Sequence, residues 1–276
     1  VMSYKDILVF LDDGKSHNER VDMAIHLAKS HAARLTGAAL QTLRPEKLNS
    51  DDDKLVTLKS REMAESLAAE FSARATAAGI DFESIIIEGN PDTSANKMAH
   101  YGRNSDLIVL GQPNPDSKNY LRMLGFAEEV MLYSGRPIFF IPYIGANKIP
   151  CKKALISWDG TPAAARAIHD ALPMLEQTED VTILIVQSKK QLQSKSDVQA
   201  EALSAHLQRH GISSHIEYVS PGTSGVAATI LNTISHNDID MLIMGGYGTP
   251  TLKQKIFGGV TRSLLSTMLT PELMSH

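Results

Sequence analysis

The sequence predicts two α/β domains in tandem, each a parallel sheet covered on both faces by helices. Three observations carry this. Short apolar runs alternate with longer helical patterns, the runs are almost continuously apolar, and the order of motifs in the first half recurs in the second. Near-continuous apolar runs mark strands buried on both faces, and strand–helix–strand alternation gives parallel pairs joined by right-handed crossovers.

The elements follow in order. KDILVFLDDG (5–14) opens the first half and KKALISWDG (152–160) the second, each an apolar run after lysine that ends in Asp-Gly. AIHLA (24–28) answers AIHDA (167–171) in the helix that follows. ARLTGAALQ (33–41) and VTILIVQ (181–187) read as second strands. LKSREMAESLAAEFSARATAAG (58–79) is rich in strong helix formers and stops at Gly79, placed to act as a C′ glycine. Ahead of it SDDDKL (50–55) is an acidic helix start that complements the dipole. ESIIIEGNPDTS (83–94) matches HIEYVSPGTS (215–224): a strand, a turn with Gly and Pro, then Thr-Ser. SDLIVLG (105–111) matches IDMLIMG (239–245), and PIFFI (137–141) gives a last strand after Arg136. Each repeat has roughly the 130–145 residues of a domain, not those of a solenoid unit. The predicted domains are 1–143 and 150–276, with the Gly- and Pro-containing IGANKIP (144–150) at the linker.

Composition narrows the partners. The 276 residues carry a net charge of −4, so no clustered Lys/Arg footprint for nucleic acid is expected. Cys151 is the one cysteine, which excludes an intrachain disulfide framework and a multi-Cys zinc site and fits a reducing compartment. Apolar runs fall short of the roughly 18–20 residues that cross a bilayer. VMSYKDILVFLDD has no basic region ahead of its apolar segment, so a secretory leader is not expected and a cytoplasmic location is.

The chemistry concentrates in MGGYGTPTLKQKIFGGVTRSLL (244–265). Gly245 ends a strand, Gly248 follows, and Gly258-Gly259 opens a helical pattern with apolar residues at 260, 264, 265, 268 and 269. A helix N-terminus offers unpaired N–H groups and partial positive charge, and glycines let a phosphate approach that backbone. Lys253, Lys255 and Arg262 make the segment basic. In parallel sheets ligands bind beyond the carboxyl ends of the strands, where strand order reverses. The Asp-Gly after strand one and the glycine after strand four both lie there.

Gly245-x2-Gly248-x9-Gly258, after an apolar strand and before Val-Thr, resembles the G-x2-G-x9-G-[S/T] signature of ATP-binding universal stress proteins. The doubled arrangement, the strand-one Asp and Arg136-Pro137-Ile138 before the last strand resemble the tandem form of that family. The resemblance spans essentially the whole chain. It implies two flavodoxin-like (adenine nucleotide α-hydrolase-like) domains, each with five parallel strands in the order 3-2-1-4-5, packed as a pseudo-dimer. It also implies a stress-response role without conventional catalysis. Carried over by residue, it places Gly245, Gly248 and Gly258 around ribose and phosphates, Asp159 beside the nucleotide, and the Val186 backbone at adenine. At the position where the family has Ser or Thr stands Gly259, followed by Val260 and Thr261. A lost hydroxyl bond to a charged group is worth about 1.5–3 kcal/mol, or roughly ten- to a hundredfold in affinity. Gly259 still supplies an N–H, and Thr261 carries a hydroxyl nearby.

In the first half, GQPNPDSKNYLRMLGFAEEVML (111–132) keeps Gly111 but has Asn114 at the second glycine. Pro113 and Pro115 remove N–H donors. After Gly125, Glu128 and Glu129 are expected in the first helical turn, where carboxylates repel phosphate. This half reads as a structural repeat without nucleotide. Elsewhere, His206 and His210 have the i, i+4 spacing of a two-His metal site but no third ligand fixed by sequence. His26 and His169 recur at matching positions within helices. Cys151 beside Lys152 and Lys153 is either slightly acidified or a bystander at a strand start. Walker-type, G-x-S-x-G and strand-following GxGxxG motifs are absent from the sequence.

The expected function is therefore binding of an adenine nucleotide, ATP with Mg, in the C-terminal domain as a regulatory ligand, with at most slow hydrolysis. The alternative is a nucleotide-free scaffold or small-ligand/lipid binder acting through protein contacts or self-association.

Overall fold

A computed structural model describes residues 3–43, 51–144, 148–187, 199–246 and 258–276, with backbone alone at 51–53. The described chain divides into two compact units, Ser3–Ile138 and Phe139–His276.

The first unit runs β1 (Asp6–Leu11), α1 (His17–His31), β2 (Arg34–Thr42), α2 (Asp51–Ala78), β3 (Phe82–Gly89), α3 (Ser94–Gly102), β4 (Leu107–Gly111) and α4 (Tyr120–Ser134). Its strands are ordered β3-β2-β1-β4, all parallel. The Ile108 N–H donates to the Pro137 carbonyl at 3.1 Å, and β5 (Ile138–Ile141) begins at the division between the units. Apolar runs become buried strands as their pattern requires: Ile7 to Leu11, Leu107 to Leu110 and Ile138 to Ile141 are all buried. The acidic SDDDKL segment leads into α2, and Gly79 ends that helix at φ +67°.

The second unit runs β6 (Lys153–Ser157), α5 (Pro162–Leu175), β7 (Asp180–Val186), α6 (Ala200–Arg209), β8 (His215–Val219), α7 (Gly225–Asn237), β9 (Met241–Gly245), α8 (Gly259–Ser266) and β10 (Glu272–Ser275). The order β8-β7-β6-β9-β10, parallel throughout, is the expected 3-2-1-4-5. The last helix is shorter than its apolar pattern, because the chain leaves α8 at Thr267 on its way to Pro271, and the residue before a proline disfavours helix.

One carboxylate fixes the start of strand one in each unit. Asp106 Oδ2 accepts the N–H groups of Lys5 (2.6 Å) and Asp6 (3.1 Å), while Asp240 Oδ2 accepts those of Lys152 (2.9 Å) and Lys153 (3.0 Å). The shared Asp of SDLIVLG and IDMLIMG is thus a clamp between strands four and one, made of charge-assisted bonds to backbone. Asp240 also settles Cys151. Burial, reinforced by that neighbouring carboxylate, pushes the thiol up to about 12, the opposite of acidification by the adjacent lysines. No described helix is long and apolar enough to cross a membrane.

The β-strand residue after Pro differs between repeats: Ile138 in β5, Glu272 in β10. Glu272 is 0 % exposed and neither carboxylate oxygen has a hydrogen-bond partner among the described residues. Burial alone raises its acid from 4.5 to about 8. The unfolded carboxyl ionises first as pH rises, so the folded state loses stability between these values, by about 1.4 kcal/mol per pH unit at most. Glu272→Gln removes that penalty. Urea denaturation should show a stability gain for Glu272→Gln that is small near pH 5, grows towards pH 8 and then levels. A gain independent of pH would contradict a neutral buried acid.

Candidate functional site

In the second unit the sheet reverses direction of strand addition between β6 and β9, and the carboxyl ends of β6, β7 and β9 lie side by side there. Helix α8 links the parallel strands β9 and β10, so its N-terminus also lies at this end of the sheet.

Asp159 leaves β6 into a turn that Gly160 makes at φ +77°. Its Oδ1 accepts both the N–H (3.0 Å) and the hydroxyl (2.7 Å) of Thr161, and the residue is exposed. Thr161 is in turn the N-cap of α5: its hydroxyl oxygen accepts the Ala164 N–H at 3.2 Å, and Pro162 occupies N1. One short stretch, Asp159-Gly160-Thr161-Pro162, thereby both starts a helix and holds a carboxylate at the strand end. Sequence reasoning missed Thr161, although a Thr directly before Pro is a readable N-cap signal.

Val186 is the last residue of β7. The Gln187 N–H donates to Val219 in β8, and Leu184 accepts from Trp158 beyond β6. Peptide groups alternate sides along a strand, so those of Val186 face the β6 side, where pairing of β6 with β7 ends at Ser157 and Trp158. The backbone predicted to read a base thus faces the β6 side at the end of that pairing.

The glycines divide by physical role. A β-carbon at Gly245 would lie 2.5 Å from the Ala164 nitrogen and 2.7 Å from the Ala163 carbonyl carbon, so glycine is required for α5 to pack against the end of β9. Gly258 and Gly259 have no such duty. Gly258 has φ −57° and ψ 159°, open to any residue, and among the described residues a β-carbon at either position would meet nothing within 4 Å. Gly258, Gly259 and Val260 are exposed, and α8 has no side-chain cap. The first intrahelical bond is Arg262 N–H to the Gly258 carbonyl (2.9 Å), which leaves the N–H groups of the first turn without intrahelical partners. Thr261 is only 4 % exposed, so it presents almost no surface at the helix start. Gly248, Lys253 and Lys255 lie outside the described residues.

The same place in the first unit is built differently. Asp12 stands at the end of β1, but Arg20, 1 % exposed, fills the space beside it. Its Nε–H donates to the Phe10 carbonyl (2.7 Å), Nη1 to the Ser16 hydroxyl (3.3 Å) and Nη2 to Asp12 Oδ1 (2.8 Å). His17, buried alongside, is held below its ordinary value by desolvation first and by the Arg20 charge second. The expectation for the following helix is corrected. Helix α4 starts at Tyr120 after the Asn119 N-cap, so Gly125 is inside it and Glu128 and Glu129 are not in its first turn. Asn114 Oδ1 accepts the Asp116 N–H (3.0 Å), a local turn that commits the loop early and lets the helix formers from Leu121 onward extend α4 backwards. Glu128 is a buried residue of that helix, not a charge guarding its start.

The ring of His206 on α6 and that of His210, the C-cap of that helix, sit 4.8 Å apart, and among the described residues no group of three His, Cys, Asp or Glu side chains is arranged to hold a metal.

The chain is thus a doubly wound parallel α/β protein carrying one domain plan twice. Residues 3–135 match the model of the universal stress protein family, so the first unit belongs to that family, and the second unit repeats its domain plan in tandem. No curated protein matches the chain. Among solved structures it is similar to a universal stress protein from Archaeoglobus fulgidus DSM 4304, with TM-score 0.75, 18 % identity, and coverage of 98 % of this chain and 95 % of the other. It is also similar to a putative universal stress protein from Pseudomonas aeruginosa UCBPP-PA14, with TM-score 0.59, 14 % identity, and coverage of 99 % and 93 %. These likenesses extend the shared fold over the whole chain.

Since the Gly245 β-carbon position lies against helix backbone, Gly245→Ala should cost about 1–3 kcal/mol by overpacking. Gly258→Ala, in open space, should be close to neutral. Chemical denaturation of the two variants checks this contrast.

Proposed function

We propose that the second unit binds an adenine nucleotide, ATP with Mg, as a regulatory ligand of a cytoplasmic stress-response protein. The observation that carries the reading is the glycine pair at the start of α8. Among the described residues nothing packs where a β-carbon at 258 or 259 would lie and no side chain caps the helix, and both glycines are exposed at the sheet end where Asp159 and the Val186 peptide groups also lie. Anions are favoured at such a helix start. In this reading the N–H groups of Gly259 and Val260 hold phosphate, with Gly248 on the preceding loop. Asp159 faces the ribose and metal side, and the Val186 backbone meets adenine. Mg supplies charge neutralisation of the phosphates; Thr161 keeps Asp159 oriented towards it. Any hydrolysis is slow, because binding and not bond cleavage is what these groups can do.

The second reading is a nucleotide-free scaffold acting through protein or lipid contacts. Gly259 in place of a hydroxyl and the burial of Thr261 favour it. Mass spectrometry of the denatured purified protein for co-purified nucleotide separates the two.

Trp158 is the single tryptophan and adjoins Asp159, so its fluorescence reports on the site. Titration with Mg-ATP should give a saturable change matched by equilibrium dialysis, and Gly259→Ser should tighten binding by about ten- to a hundredfold. No binding at millimolar Mg-ATP in dialysis overturns the reading.

A further inference from the structure

The repeat relation identifies which residues occupy equivalent places at the two strand ends. Four residues before Ala24 of AIHLA stands Arg20, and four before Ala167 of AIHDA stands Ala163. The structure confirms the pairing independently. The glycine ending strand four faces Arg20 in the first unit, where a β-carbon at Gly111 would lie 2.1 Å from Nη1, and faces Ala163 and Ala164 in the second. The strand-one carboxylates correspond in the same way, because Val9 pairs with Val109 and Ile156 with Ile243, which sets Asp12 against Asp159.

We propose that Arg20 is the determinant that closes the first unit to ligand: its guanidinium is a built-in cation seated on the strand-one carboxylate, whose counterpart in the second unit, Asp159, stays exposed to an external ligand. The part concerning the second unit rests on the nucleotide reading above; the part concerning Arg20 does not. The guanidinium is buried, it satisfies acceptors on three residues, and its positive charge faces the Asp12 carboxylate directly. A planar fork that spans a carbonyl, a hydroxyl and a carboxylate is specific to arginine. Around it stand His17, Glu70 and Arg74, of which the His17 Nε2 to Glu70 contact is 3.9 Å, so Asp12 is the carboxylate that the guanidinium engages. Asp159 in contrast is held only by Thr161 among the described hydrogen bonds and is exposed. The two halves therefore differ at this position of the helix after strand one, and with it in the charge available at the strand end.

The inference is tested on the full chain by chemical rescue. Arg20→Ala should lower the melting temperature, and millimolar ethylguanidinium, at ionic strength matched with sodium chloride, should restore part of the loss. The wild type and the double variant Arg20→Ala/Asp12→Ala should show no such recovery. If Arg20→Ala does not fold, a double-mutant cycle of Arg20→Lys with Asp12→Asn replaces it, and strong coupling is expected. Absence of rescue, rescue that survives loss of Asp12, or additivity in the cycle overturns the proposal. A ligand arm tests the asymmetry: Asp12→Asn should leave Mg-ATP affinity unchanged, whereas Asp159→Asn should weaken it by about tenfold or more. Equal weakening by both overturns the closure of the first unit. A wild type that binds no nucleotide overturns the function proposed for the second unit and leaves the rescue result to decide on Arg20.

Discussion

The structure depends on a close approach, the laying of the helix after strand one against the end of strand four. In the second unit that approach is so tight that a single β-carbon on Gly245 would overlap the backbone of α5. The glycine therefore sets the height of the helix start above the sheet, and with it the path of the Asp159-Gly160-Thr161-Pro162 turn. Everything chemical at this end follows from that path. The carboxylate is presented at the strand end because Gly160 can turn at positive φ and because Thr161 binds both its own helix and Asp159. In the first unit the same glycine leaves room for a guanidinium instead of a backbone, and the strand end is filled from within.

The two halves keep their framework contacts and differ at the strand ends. The clamp from strand four to the start of strand one is the same in both, an aspartate receiving two backbone N–H groups. It sits at the opposite end of the strands from the glycines, so the scaffold is secured where no ligand chemistry is needed. At the other end the repeats are free to diverge, and they do so through helix starts: α4 begins at Tyr120 and runs 15 residues, whereas α8 begins at Gly259 and runs 8. A longer α4 moves its N-terminal N–H groups away from the position equivalent to Gly258, which removes the donors as effectively as any repelling carboxylate.

Much of the site was readable from residues alone, and the failures have a common cause. Asp159, Gly245 and the glycine pair at 258–259 could be singled out as candidates because turn and motif signals are local. Arg20 was missed although its position was legible: with Ala24, Leu27, Ala28 and His31 it belongs to the buried face of α1, where an arginine needs a partner. The identity of that partner was not legible, because Asp12 and the Phe10 carbonyl meet it only once the turn has brought the helix back over the strand. The sequence left Cys151 open between an acidified thiol and a bystander, and the structure decides for the bystander. Its sequence neighbours are two lysines, but its spatial neighbour is Asp240, brought beside it by the pairing of β6 with β9.

The sequence by itself determined the fold class, the strand order implied by its repeat and family likeness, and the elements that carry the glycines. Periodicity and repetition report backbone conformation and buried faces, and these are properties of short segments. Only the tertiary structure decided which polar groups are free. It gave Gly245 to packing and left Gly258 and Gly259 without a packing duty among the described residues. It buried Thr261, turned the Val186 peptide groups towards the β6 side, and set Arg20 on Asp12. Each of those outcomes depends on contacts between segments far apart in the chain, fixed when parallel strands are joined through crossing helices, and no local pattern encodes the distance at which two such segments meet.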